Sequence, residues 1–227
     1  MSFELPCFVI NLERSQDRLK SFMNSFNASD IKTQELYRLE AIDGKELQKL
    51  NEEELLEIMT PDILKELRET ERFGSRLSHS QHNFSSYASY LSHLELYKII
   101  LKNYEMAVIF EDDALLHPNF FKIIKNLLNI VPKDWDIILL GYNCQECPIV
   151  NNYRQVTSFY GTHGYLINRK GAIKMMKDKF PANIQIDLYM SRLAQQSILN
   201  IYASDSEIQF AHQSPQFKTL IQMPLRK

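Results

Sequence analysis

The chain has 227 residues, 44% of them apolar and 11% aromatic, so it can bury a substantial core and does not read as disordered. A formal net charge of −2 gives no support to a general affinity for nucleic acid. No run reaches the roughly 18 apolar residues of a membrane helix, and the opening "MSFELPCFVINLERSQ" lacks the basic flank of a signal peptide, so a soluble intracellular protein is expected.

In chain order, "CFVINL" at 7–12 is a near-continuous apolar run of the kind a buried parallel strand shows. "RSQDRLKSFMNSF" follows with Leu19, Phe22, Met23 and Phe26 at helical spacing and Ser15 placed as an N-cap. "ELYRLEAI" at 35–42 reads as a second strand closed by Asp43 and Gly44, which makes a β-α-β start and predicts a parallel α/β sheet. Residues 45–72 are charged and helical in pattern, split by Pro61 with Thr60 or Asp62 to cap the second piece, and read as a surface insertion. Residues 72–86 read as a polar loop, and "YASYLSHLELYKIILKN" as an amphipathic helix with Tyr90, Leu91, Leu94, Tyr97 and Leu101 towards the core. "MAVIF" is then a central strand, "PNFFKIIKNLLNI" a helix with Pro118 in its first turn, and "WDIILLG" another buried strand. "GTHGYLINRKGAIKMMKDKF" reads as a loop, a short strand and a helix, "IQIDLYMSRLAQQ" as a helix entered by Asp187, and "LNIYAS" and "EIQFAH" as short late strands.

Three cysteines, Cys7, Cys144 and Cys147, are an odd and sparse set that fits a reducing compartment. "CQEC" has C-x-x-C spacing, but no second pair completes a zinc site and Pro148 with paired asparagines reads as loop, so neither redox nor metal chemistry is assigned there.

"EMAVIFEDDALLHP" carries the chemistry. Three consecutive carboxylates, Glu111, Asp112 and Asp113, follow the central strand, and ligands of open α/β sheets collect at such carboxyl ends. Carboxylate oxygens suit hard divalent ions held jointly with substrate phosphates. Because residues i and i+2 of an extended segment point the same way, Glu111 and Asp113 can face one ligand and Asp112 another group. The alternative is a solvated turn that starts the next helix. "INLERSQDR" sets Asn11, Leu12, Arg14 and Arg18 just past the first strand, where guanidinium groups can reach a nucleotide diphosphate or simply decorate a helix. Gly161 and Gly164 around His163 allow close backbone approach to a ligand, or a turn.

Taken in order, these segments resemble glycosyltransferase family 25, the lipopolysaccharide-type galactosyl and glucosyl transferases. The pattern INLxRxxDR is matched by Ile10–Arg18, AxDG by Ala41–Gly44, LSHxxLY by Leu91–Tyr97, VxEDDA by Ile109–Ala114, GTxGYxIxRK by Gly161–Lys170, and a DL element by Asp187 and Leu188. The stretch "HNFSSYASY" departs from the Gly-rich or Cys-containing entry that relatives carry before LSH.

The resemblance implies a GT-A type fold, an α/β nucleotide-diphospho-sugar transferase with a mostly parallel Rossmann-like sheet flanked by helices. It implies one domain over residues 1–227, with a donor nucleotide half to about 115 and an acceptor half from about 116. The implied reaction is inverting transfer of a hexose, galactose foremost, from a UDP-sugar to an oligosaccharide or lipid-linked acceptor of bacterial lipopolysaccharide or lipooligosaccharide. It implies Mn²⁺ or Mg²⁺, with Asp113 as the direct ligand and His212 as a late one. Donor contacts are implied for Asn11, Leu12, Arg14, Arg18, Asp43, Gly44, Ser92, His93, Glu111, Asp112, Gly161, Thr162, Gly164 and Tyr165. Asp187 is the expected catalytic base, with a helix-start charge as its alternative. A cytoplasmic protein with room for peripheral contact at the inner membrane fits this set, and oligomeric state is not legible. Competing readings are a Mg²⁺-dependent phosphohydrolase, disfavoured because Asn11 and Glu13 stand where its nucleophile belongs, and a non-catalytic glycan-binding relative.

Overall fold

A computed structural model describes residues 4–73, 83–144, 149–150, 152–177, 185–204 and 210–217. The chain runs β1 (Cys7–Asn11), α1 (Gln16–Ala28), a 3₁₀ turn (Asp30–Thr33), β2 (Leu36–Glu40), α2 (Gly44–Leu47), α3 (Glu52–Ile58), α4 (Pro61–Phe73) and α5 (Phe84–Asn103). It continues through β3 (Met106–Glu111), β4 (Ala114–Leu116), α6 (Phe120–Ile130), β5 (Ile137–Asn143), β6 (Ile149–Val150), β7 (Tyr153–Gln155) and β8 (Tyr160–Asn168). The last elements are α7 (Arg169–Lys177), α8 (Ile186–Gln195), β9 (Ile201–Ser204) and β10 (Ala211–Gln213).

Eight strands form one sheet in the order β2-β1-β3-β8-β5-β9-β7-β6, and β10 pairs with β4 in a separate two-stranded ribbon. Pairings β1–β2, β1–β3 and β5–β9 are parallel, whereas β8 lies antiparallel between β3 and β5. This is the α/β sheet flanked by helices that the GT-A expectation called for, with β8 inserted against the main strand direction.

The continuous apolar runs are explained by burial on both faces of the sheet. Phe8, Ile10, Ala107, Ile109, Leu139, Tyr165 and Ile167 enter one core with α5, α7 and α8. Their alternates Cys7, Val9, Val108, Phe110, Ile138, Leu140 and Leu166 enter the other with α1 and α6.

The helix ends correct several local expectations. Ser15 occupies the N-cap of α1 but makes no side-chain capping bond. α5 begins at Phe84 instead of 87, because Asn83 and Ser86 cap each other reciprocally and extend the helix into what reads as loop. α5 is also buried around most of its circumference, with Ser92, His93, Leu96 and Ile100 joining the expected apolar face. α6 begins after Asn119 without a local cap; Asp30 supplies one from the 3₁₀ turn, accepting from Phe121 N (2.7 Å) and Lys122 N (3.1 Å). Thr60 Oγ1 accepts from Ile63 N at 3.4 Å and caps α4.

Residues 45–72 are more than a surface insertion. Leu47, Leu55, Met59, Ile63, Leu64 and Leu67 are buried in the same core as α5. The surface reading followed the high charge and missed the narrow apolar stripe that these helices turn inward.

"GTHGYLIN" is likewise not a loop with a short strand: β8 spans nine residues. Its glycines serve contact. A Cβ at Gly164 would lie 3.0 Å from Ala211 Cβ and 3.3 Å from the Phe110 ring, and only Gly161, with φ +82°, has the left-handed backbone. At Gly141 on β5 a Cβ would fall 1.8 Å from Ala211 O, so β10 can seat only against a residue without a side chain. Most of the 72–86 loop, residues 145–148 with most of "CQEC", the ends of "KMMKDKF" and "IQIDL", the start of "EIQFAH" and the tail "MPLRK" lie outside the described residues.

Candidate active site

The parallel register sets Ile10 beside Glu111, so the carboxyl ends of β1 and β3 open at one edge of the sheet. The antiparallel entry of β8 brings its first residues to the same edge, with Gly164 opposite Phe110. Three chain segments far apart in sequence therefore meet there.

Glu111, Asp113 and His163 form the centre, each offering a ligand atom within 4.8 Å of the others. His163 Nδ1 lies 4.0 Å from Glu111 Oε2 and 3.8 Å from Asp113 Oδ1. Asp113 Oδ1 and His163 Nδ1 are buried without a hydrogen-bond partner, a condition native structures avoid unless something else satisfies the atoms. Thr162 Oγ1 donates to Glu111 Oε1.

Asp112 faces the other way, as alternation requires. Its Oδ2 accepts from Asn11 Nδ2 (2.7 Å) and its Oδ1 from Arg18 Nε (2.6 Å). Arg18 also reaches Asp113 Oδ2 at 3.0 Å, where Gln213 Nε2 donates from the other side at 3.1 Å. Arg38 Nε donates to Asn11 Oδ1 at 3.0 Å and fixes that amide.

Electrostatics follow the crowding. Burial, reinforced by the Asp113 charge, pushes Glu111 up to about 7. Burial also raises Asp112 above the usual carboxylate range despite Arg18 and Asn11. For Asp113 the penalty of burial is outweighed by His163 and Arg18, so it stays below its ordinary value. His163 is drawn up by Asp113 and Glu111 against the opposing effect of burial.

Beside this centre lies an open cleft lined by Ile10, Leu12, Arg14, Arg18, Ala41, Ile42, Asp43, Gly44, Ser85, Ser89, Ser92, Glu111 and Asp112, with an inner space of about 90 Å³. Apolar Ile10, Leu12, Ala41 and Ile42 make a slot, and polar groups surround it. At the mouth Arg14 forks onto Asp43 (Nε–Oδ2 2.6 Å, Nη2–Oδ1 3.2 Å), which holds the Asp43 carboxyl below its usual range. Gly44 lets α2 press on α5, since a Cβ there would lie 2.6 Å from Ser85 N. Ser92 Oγ accepts from Ile42 N at 2.9 Å and ties the slot's wall to α5.

Asp187, in the first turn of α8, is buried and linked to the centre through β8: Gly161 N donates to its Oδ2 at 2.8 Å, and its Oδ1 accepts from Leu188 N at 2.8 Å. Thus Asn11, Leu12, Arg14, Arg18, Asp43, Gly44, Ser92, Glu111, Asp112, Asp113, Gly161, Thr162 and Asp187 gather around one edge.

Four expected residues stand elsewhere. His93 and Tyr165 are fully buried and bond each other (Nδ1 to hydroxyl, 2.7 Å), with Tyr97 at 2.8 Å from the same hydroxyl, so they form the floor under β8 and not the cavity wall. Gly164 packs against Phe110 and Ala211. His212 has an exposed side chain on β10, and its neighbour Gln213 is the residue that reaches Asp113. The ring that joins the acidic pair is His163. Its signal in the sequence was its place between Gly161 and Gly164, which becomes informative only when β8 is known to pair antiparallel with β3.

Sheet, cleft and carboxylate centre define an α/β protein with a candidate cation site at its carboxyl edge, beside an apolar slot. Residues 4–152 match the profile of glycosyltransferase family 25 (LPS biosynthesis protein). The chain belongs to that family. A Glycosyltransferase 25 family member of Aedes aegypti is 24% identical over 181 residues, which cover 76% of this chain and 28% of the mosquito protein. The chain thus spans just over a quarter of that relative's length. Among solved structures, Staphylococcus aureus TarS 1-349 in complex with UDP-GlcNAc superimposes with a TM-score of 0.48 at 10% identity, covering 96% of this chain and 60% of that one. Mouse xyloside xylosyltransferase 1 in its apo form gives 0.47 at 11% identity, covering 89% and 86%.

Proposed function

We propose that this chain is a metal-dependent inverting glycosyltransferase that moves a hexose, galactose foremost, from a UDP-sugar to a glycan acceptor of bacterial lipopolysaccharide or lipooligosaccharide. The observation that carries the reading is the cavity ending on Glu111 and Asp112, beside the unpartnered Asp113 Oδ1 and His163 Nδ1. Two carboxylates and an imidazole suit Mn²⁺, and their partnerless buried atoms fit a cation better than a hydrogen-bonded turn. Glu111, Asp113 and His163 would hold it. When bound, such an ion neutralises the charge that grows on the leaving diphosphate.

The chain's own residues supply the rest. The apolar slot, whose wall Ser92 holds against α5, receives the nucleoside, and the Arg14–Asp43 pair orders the mouth. Arg18 and Asn11 hold Asp112 in one orientation and so keep its second face towards the donor. Asp187 takes the proton of the acceptor hydroxyl on a carboxylate oxygen, its plane fixed by the N–H groups of Gly161 and Leu188. Residues to about 115 form the donor half and the remainder the acceptor half of one domain. No helix among the described residues is long and apolar enough to cross a membrane; we place the protein in the cytoplasm with peripheral contact at the inner membrane.

The test is UDP release from a panel of UDP-sugars with Mn²⁺ and with EDTA. Chelator-sensitive release from UDP-galactose, dependent on acceptor, is expected. No release from any donor, together with no thermal shift from UDP plus Mn²⁺, overturns the reading.

A further inference from the structure

The two oxygens of Asp113 have different surroundings. Oδ2 is anchored by Arg18 at 3.0 Å and by Gln213 at 3.1 Å, while Oδ1 is buried, unpartnered and turned towards His163. A carboxylate torsion is broad and two-fold when nothing fixes it, so those anchors decide which oxygen faces the candidate cation site.

The anchors are unequal. Arg18 is shared, since it also holds Asp112 Oδ1 through both Nε and Nη2 at 2.6 Å. The side-chain amide of Gln213 is directed at Asp113 Oδ2, and its position comes from two backbone constraints. Gln213 pairs with Ala114, the residue after Asp113, and Ser214 N donates to Asp113 O at 2.8 Å. The strand is seated in turn by the close approach of Ala211 to Gly141 and Gly164, and by Phe210 N donating to Leu140 O at 3.0 Å.

From this geometry, and resting on the metal-dependent reading above, we infer that Gln213 is a positioning residue for the metal centre: by holding Asp113 Oδ2 it presents Oδ1 to the cation. The amide donates two N–H groups and carries no charge, so it orients the carboxylate without cancelling the negative charge that attracts the ion. Arg18, which is charged, would on its own draw Asp113 towards Asp112. Groups that hydrogen-bond a ligating carboxylate typically contribute about 10- to 100-fold to metal affinity. Gln213 is exposed, so replacing it removes this bond without opening the core.

The experiment measures Mn²⁺ binding to the full chain by electron paramagnetic resonance of the free ion, for wild type, Gln213→Leu, Gln213→Ala, His212→Ala and Asp113→Asn. The unfolding midpoint of each is recorded in EDTA. Wild type is expected to bind, both Gln213 variants to bind about 10- to 100-fold more weakly, and their midpoints in EDTA to match wild type. The Mn²⁺ concentration for half-maximal turnover rises by the same factor, while kcat at saturating Mn²⁺ stays near wild type. Unchanged affinity in Gln213→Leu overturns the inference and leaves the metal reading standing. Lost affinity with a lowered midpoint in both variants overturns it in favour of a role in seating β10. Lost affinity in His212→Ala with Gln213→Leu unchanged overturns it by moving the contribution to the neighbouring residue. A wild type that binds no Mn²⁺ overturns the metal reading and this inference together.

Discussion

Asp113 Oδ1 and His163 Nδ1 face each other at 3.8 Å, both buried and neither with a hydrogen-bond partner. The gap is too long for a hydrogen bond and leaves two donor atoms converging on one space. Replacing Asp113 by Asn keeps the volume and removes the charge, so turnover in Mn²⁺ is expected to fall by about 100-fold or more with the unfolding midpoint in EDTA little changed. Full activity in Asp113→Asn would remove that residue from the metal site.

On the metal-dependent reading, His163 would set the softness of the donor group. An imidazole favours Mn²⁺ over Mg²⁺, and a third carboxylate would not. The ratio of activity in Mn²⁺ to activity in Mg²⁺ is therefore expected to drop in His163→Asp. An unchanged ratio places the imidazole outside the metal's coordination.

For Asp187→Asn the expectation is retained donor binding and lost transfer. The amide keeps the shape and can still accept from Gly161 N while giving up the bond from Leu188 N, but it cannot take a proton. Equilibrium UDP-sugar binding and single-turnover transfer separate the two; an equal loss in both makes Asp187 a binding residue.

How much of this was visible in the chain beforehand depended on the distance over which each feature is set. β1, β3 and β5 were legible as apolar runs, because burial on both faces leaves no room for polar residues. The acidic triplet was legible by its place at the carboxyl end of an apolar run, and the INLxRxxDR segment as a pattern of the family it resembles. β8 was not, since Gly161 and Gly164 look like a loop until Phe110 and Ala211 are seen pressing on that backbone. His163 and Gln213 escaped because each becomes a site residue only through pairing with a remote strand, β3 for one and β4 for the other. His93 looked like a site residue because it sits in a motif, yet its ring points into the floor.

That floor makes a pH prediction. Burial depresses His93 to about 3. Below the unfolded value near 6.5 the unfolded chain takes a proton that the folded chain refuses, so stability contributed by the neutral ring is lost as pH falls from about 6.5 towards 3. The slope is about 1.4 kcal/mol per pH unit once well below 6.5, so roughly 2 kcal/mol disappears between pH 6.5 and 5. Urea unfolding of wild type and His93→Phe at both pH values should show a shallower loss in the variant by about that amount. Parallel losses would mean the ring protonates within the fold.

Gly141→Ala forces a methyl group onto Ala211 O, so β10 must shift. A cost of about 1–3 kcal/mol is expected from overpacking, accompanied by weaker Mn²⁺ binding because Gln213 moves with the strand. Calorimetry with and without Mn²⁺ checks both; a destabilised variant with wild-type Mn²⁺ affinity would uncouple the strand from the centre.

The register of β8 also has a consequence in time. Asn11 and Arg18 leave the ribosome early, the acidic triplet near mid-chain, His163 well after it and Gln213 among the last described residues. Of the side chains that face Asp113 in the finished fold, Arg18 precedes it in the chain, whereas His163 and Gln213 follow it. The centre is therefore completed by late arrivals, His163 on a strand that lies between β3 and β5 and Gln213 on one that pairs with β4, a non-local closure of the kind that slows folding. Acquisition of Mn²⁺ affinity would mark the end of maturation, later than the first appearance of helix or sheet.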